Sequence, residues 1–370
     1  MCDNRNAMRP DARPSPLARY LLAAYVLLVA YGSLHRFTGW RDPGTSPFAF
    51  VVAPWPPYVT GFDIGANVIA YIPLGLLGVL AAAPRLVGAR AWATTVLGGT
   101  VLSLTMESLQ AYLPDRIQSN LDLVANALGA IIGATIGTIA ARWLARHGGL
   151  YAIRDELFHH GRQTDLGLVL VGLWLFALLN PETLLFGNGD LRDLFESLPS
   201  ALHPAELFVR IEGTVTAANL VAVALLAGAL TPSRAARWRL VVALLVVACL
   251  IRSAAFATLF RPADMFAWLT PGALWGGLIG LALALAGMFL SRRTAISLAG
   301  VLLMAATVLV NVAPENPYLA NSLQVWRQGH FLNFNGLTRI VSTLWPFAAL
   351  VYLLVVAGRR DSAAPAGSAQ

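Results

Sequence analysis

Between Thr105 and Gly133 the sequence reads TMESLQAYLPDRIQSNLDLVANALGAIIG and holds Glu107, Gln110, Arg116, Asp122 and Asn126. Asp63 and Asn67 stand upstream in GFDIGANVIAYIPLG. The chain is 57% hydrophobic and 12% charged, so ionisable groups gathered in this way call for a purpose. A carboxylate beside a guanidinium suits acid–base chemistry, with Glu107 moving a proton and Arg116 holding a phosphate. It equally suits recognition of a polar headgroup, or a salt bridge that ties helices together. No HExxH, Gly-rich phosphate loop or nucleophile elbow accompanies the cluster, and no Cys or His pair has metal-ligand spacing. No metal and no cofactor are expected.

The spacing defines the elements that must carry these groups. Asp63 and Asn67 are separated by one helical turn, as are Asp122 and Asn126, and Glu107 and Gln110 nearly so. Each pair therefore lies on one helix face, the two four-residue pairs about 6 Å apart in depth. Pro114 ends the helix of Glu107, which leaves Arg116 in the turn that follows. If three consecutive helices cross back and forth, all seven residues meet at one end. An ion facing lipid costs about 2.5–3.5 kcal/mol at a helix centre, so Glu107 should face the bundle. Arg116 is its expected cation, and Asn67 or Asn126 its expected hydrogen-bond donor. Asp63 and Asp122 also stand at helix starts, where a carboxylate caps free amides. Gly129 and Gly133, spaced G-x-x-x-G, favour close helix packing.

Apolar runs long enough to cross a bilayer recur at 18–34, 63–82, 92–112, 121–141, 165–180, 214–230, 239–259, 268–290, 295–312 and 338–357. The expectation is an all-α, polytopic transmembrane helix bundle of about ten spans. All basic residues are arginine, and they concentrate in alternate connections: Arg85 and Arg90, Arg142 and Arg146, Arg234 to Arg239, Arg292 and Arg293, and both tails. That bias predicts both termini inside. It also explains the pI near 9.9 without nucleic acid as a partner. Arg5, Arg9, Arg13 and Arg19 ahead of the first run read as a retained signal anchor. Cys2 and Cys249 are not expected to pair.

In this orientation the connections 35–62, 181–213 and 313–337 lie outside. Their aromatics, among them Tyr318, Trp326, Phe331 and Phe334, form either a ligand surface or interfacial anchors. Residues 61–77, 213–230 and 334–354 resemble one another, with Asn219 laid over Asn67 and Pro346 over Pro73. The domain plan that follows is a tail at 1–16, a four-helix unit at 17–145 and a linker at 146–164. A degenerate repeat then occupies 165–293, a half repeat 294–358 and a second tail 359–370. In the repeat Val215 stands at the place of Asp63, and Arg252 at that of Glu107.

The pattern D63-x3-N67 with IPLG at 72–75, then S103-x3-E107-x2-Q110, R116 and D122-x3-N126-x2-G129-x3-G133, resembles the VanZ-like family. The resemblance covers about residues 17–145. It implies a small polytopic domain of the bacterial cytoplasmic membrane, with the seven polar residues as signature positions. Its namesake is associated with low-level resistance to teicoplanin-type glycopeptide antibiotics, and the resemblance implies no reaction. Three functions remain open. One is a non-enzymatic envelope protein that binds a lipid-linked or cell-wall-related ligand at an outward-facing cluster. The others are a membrane-embedded enzyme acting on a lipid-linked glycan, and a transporter.

Overall fold

A computed structural model describes residues 16–35, 37–57, 60–114, 116–146, 157–192, 203–260, 262–314, 316 and 332–358. Both tails, Arg261, Tyr318, Trp326 and Phe331 lie outside the described residues. The described chain is helical and contains no strand. Its helices are α1 (Leu17–Leu34), α2 (Gly61–Ala82), α3 (Ala89–Gln110), α4 (Asn120–Arg146), α5 (Arg162–Ala177), α6 (Ala205–Ala229), α7 (Arg234–Leu259), α8 (Pro271–Gly287), α9 (Arg292–Val312) and α10 (Leu332–Gly358). Each falls on one of the apolar runs read from sequence.

Seven of these helices are long and apolar enough to cross a membrane: α1, α2, α4, α6, α7, α9 and α10. α5 and α8 fall short at 16 and 17 residues. α3 is long enough, but Thr, Ser, Glu and Gln dilute its apolar content. In so apolar a sequence, hydroxyl side chains mark where helices begin. Thr60, Ser233, Thr270 and Ser291 each accept a hydrogen bond from the third helical N–H. Such a cap contributes about 1 kcal/mol.

The helices form two compact units: α1–α4 with residues 160–165, and Leu166 onward through α10 with residues 157–159. In the first unit α2 and α4 pack in parallel. Gly129 meets Val68 and Tyr71, Gly133 meets Ile72, and Gly137 meets Leu76 and Val79, while Gly75 abuts Ala130 and Ala134. A Cβ at Gly133 would collide with the Ile72 backbone, so these glycines allow the two backbones to touch. α3 runs antiparallel to both, joined to α2 through residues 83–88 and to α4 through 111–119.

The second unit surrounds α6, which is buried continuously from Asn219 to Ala229. α8 lies parallel to α6, with Gly276 on Gly213, Gly280 on Ala217 and Gly287 on Leu225. Part of the segment after α5 packs into the interior of its unit. Residues 185–189 are buried, and the backbone turns inward with a positive φ at Phe186. The helices satisfy its polar groups: Thr216 donates to the Leu185 carbonyl, Asn311 to that of Gly189, and Asn180 to Ser342 Oγ. Buried non-helical backbone is tolerated only when its groups are paired in this way.

Candidate functional site

At the start of α2, Asp63 belongs to a capping box. Its Oδ2 accepts from the Thr60 hydroxyl at 2.6 Å and from the Thr60 N–H at 3.3 Å, and Thr60 Oγ1 accepts from the Asp63 N–H at 3.1 Å. The carboxylate is exposed and serves the helix end. One turn deeper, the Asn67 amide is within hydrogen-bonding reach of the Asp122 carboxyl on the parallel helix α4.

Glu107 lies near the end of α3 and is only 5% exposed. Its Oε2 accepts the Ser119 backbone N–H at 3.0 Å, while Ser119 Oγ accepts the Asp122 N–H at 3.2 Å. One buried carboxylate thus holds the α3–α4 turn, and the residue it holds caps α4. Arg116 and Asp122 both act on Glu107 electrostatically.

Gln110 and Arg116 reach the other way, toward α1. Gln110 Nε2 donates to the Ser33 carbonyl at 3.0 Å, and Arg116 Nη2 donates to the Gly32 carbonyl at 3.1 Å. These are among the last carbonyls of α1, which have no partner within their own helix. A cation there also complements the helix dipole.

Below this layer the site continues inward. Asn126 Nδ2 donates to Ser103 Oγ at 2.9 Å, with Ser103 fully buried and Asn126 6% exposed. The buried Tyr71 side chain also lies near Ser103. Asn126 Oδ1 is buried without a hydrogen-bond partner among the described residues. Turning the amide over would leave its NH2 end unpaired instead.

The seven residues expected to gather do share one end of the bundle, in three layers. Asp63 stands at the rim. Glu107, Arg116, Asp122 and Gln110 lie beneath it, and Asn67 and Asn126 lie deeper along α2 and α4. The bonds within the set differ from those expected, since Glu107 takes a backbone amide, Asn67 turns to Asp122 and Asn126 turns to Ser103. Sequence reasoning passed over Tyr71 and Ser119. Both carried a signal: Tyr71 continues the stripe of Asp63 and Asn67, and S119-x-x-D122 has the spacing of a helix-start cap.

The segment 37–57 is tied across this same end. Asn120 Nδ2 donates to the Ala53 carbonyl at 2.7 Å, and the Arg41 N–H donates to the Tyr112 carbonyl at 2.9 Å. Trp40, Phe48, Val52 and Trp55 stay exposed along it, as does Ile117 in the α3–α4 turn. The polar interior therefore has an apolar rim.

Residues 19–141 match the VanZ/LLP1 family model. They form a VanZ-like domain. It comprises α1–α4 up to Ala141, and every residue of the polar cluster falls inside it. No curated protein and no solved structure matches the chain significantly.

Proposed function

We propose that the VanZ-like domain is a binding module of the bacterial cytoplasmic membrane. It receives a lipid-linked or cell-wall-related ligand at its outward-facing polar end, and through this it is linked to glycopeptide resistance. The observation that carries the reading is the Asn126 amide oxygen, buried and without a partner among the described residues, on a side chain that reaches Ser103 one turn from the buried Glu107. A buried polar atom without a partner calls for one from outside the chain. The exposed Trp40, Phe48 and Trp55 around that interior suit an amphiphile whose polar head enters and whose tail stays in lipid. The arginine bias of the connections supports placing this end outside. Glu107 and Arg116 are engaged by backbone groups, which favours binding over acid–base turnover.

The test is susceptibility to teicoplanin in cells that express the chain, read beside membrane protein level. Asn126→Leu fills a buried polar position without a hydrogen-bonding group. It should abolish protection while the protein still accumulates. Protection equal to wild type at equal protein level would overturn the reading.

We also infer that α5–α8 are a degenerate copy of α1–α4. Gly280 packs on Ala217 as Gly133 packs on Ile72. The same step back along α6 and α2 then puts Glu212 at the place of Asn67. Glu212 lies within reach of Thr270 at the start of α8, as Asn67 does of Asp122 near the start of α4.

A further inference from the structure

A concavity of the VanZ-like domain runs from the end of its helices opposite Glu107 to Leu102 near mid-helix. It is a groove of about 560 Å³ between α1, α2 and α3. Leu22, Val26, Leu74 and Leu102 give it apolar walls, Gly98 and Gly99 lie in its floor, and Arg19 stands at one end. Its volume falls within the range of about 300–1,000 Å³ that suits a small ligand.

Charge distinguishes this end from the other. Among the described residues of α1–α4 and their connections the acids are Asp42, Asp63, Glu107 and Asp122. Three of these belong to the polar cluster, and Asp42 sits in the segment tied across it. The groove end carries Arg19, Arg85, Arg90 and Arg142, all exposed, with no described acid of these helices among them. Arg19 Nε donates to the Ala81 carbonyl at 3.3 Å, which fixes the guanidinium at the end of the groove. Its Nη hydrogens make no hydrogen bond among the described residues and suit an anion. Arg90 lies one turn before Thr94, a lining residue whose hydroxyl donates to the Arg90 carbonyl at 2.8 Å.

We propose that this groove binds one anionic phospholipid, with an acyl chain along Leu22, Val26, Leu74 and Leu102 and the phosphate at Arg19. An apolar trough with a cation at its end matches a single-chain slot under a charged headgroup, and the surrounding arginines select against a zwitterion. The groove reaches Leu102, next to Ser103, but shares no side chain with the polar cluster, so this assignment stands independently of the function proposed above.

Gly98 makes the test clean. A Cβ there meets nothing within 4 Å, so a larger side chain enters the groove without displacing a helix. The full chain is reconstituted in vesicles of mixed phosphatidylglycerol and phosphatidylcholine, and the lipid it retains is read by native mass spectrometry. Wild type should retain phosphatidylglycerol in preference. Gly98→Leu should lose the retained lipid with no loss of thermal stability. Arg19→Gln should keep a lipid but lower the preference for the anionic one about fivefold. Equal retention of both lipids by wild type, or undiminished retention by Gly98→Leu, would overturn the proposal. So would displacement of the lipid by soluble glycerol phosphate, which would assign the site to a free anion.

Discussion

Arg252 Nη1 donates to the Leu178 carbonyl at 3.2 Å, reaching from inside α7 to the end of α5. It also donates to the carbonyls of Asn180 and Thr183, and its guanidinium lies 5.1 Å from the Phe256 ring. In the VanZ-like domain Arg116 serves the Gly32 carbonyl at the end of α1 in the same manner. Each unit thus closes its first helix with a guanidinium.

Arg252→Leu follows directly from that role. The substitution leaves several buried carbonyls without donors and should destabilise the second unit by about 3 kcal/mol. Thermal unfolding of the full chain in detergent measures it, with Arg252→Lys recovering part of the loss because an ammonium lacks the fork. Wild-type melting in Arg252→Leu would show that these carbonyls do not depend on it.

Two glycines should respond in opposite directions to alanine. At Gly133 the added Cβ would meet the Ile72 backbone, so α2 and α4 must separate at a cost of about 1–3 kcal/mol. At Gly98 the added Cβ meets nothing, and alanine's helix propensity adds up to about 1 kcal/mol. Melting of the two variants in one detergent compares them, and equal shifts would contradict the packing.

Glu107 has an architectural duty that a conservative change preserves. In Glu107→Gln the amide oxygen still accepts the Ser119 N–H, so protein level should hold while any envelope phenotype is lost. Glu107→Leu removes the acceptor and should also loosen the α3–α4 turn. Hydrogen exchange at Ser119 distinguishes the two, rising in the leucine variant alone.

The Asp190–Arg192 pair predicts a pH dependence. Burial raises the Asp190 carboxyl, but the hydrogen bonds and charge of Arg192 outweigh it and hold the group below its ordinary value. A carboxyl depressed by folding contributes stability above its unfolded value and loses it as pH falls through the folded one. The melting temperature should therefore fall on acidification, and Asp190→Asn should flatten part of that slope. The partial exposure of both groups keeps the effect small. An unchanged slope in Asp190→Asn would remove the pair from the account.

Much of the fold was legible because a bilayer accepts so few solutions. Backbone groups in lipid must pair within their own segment, so each long apolar run becomes a helix, and polar residues a turn apart share a face. Asp63, Asn67, Glu107, Asp122 and Asn126 were placed at one end on that argument. The repeat was harder, because apolar helices resemble one another in several registers. Residue types alone lay Asn219 over Asn67, whereas the proposed copy, taken from the packing of Gly280 on Ala217, would lay Glu212 there.

The sequence by itself determined which segments are helices, which faces are polar, and that the cluster gathers at one end of α2, α3 and α4. Tertiary structure decided the partners: Ser119 for Glu107, Gly32 for Arg116, Ser103 for Asn126, and an inward fold for residues 185–189. Helical periodicity fixes direction to within a face and a turn. A hydrogen bond is made or lost over a few tenths of an ångström, and that margin is set by how deeply the glycines let neighbouring helices approach.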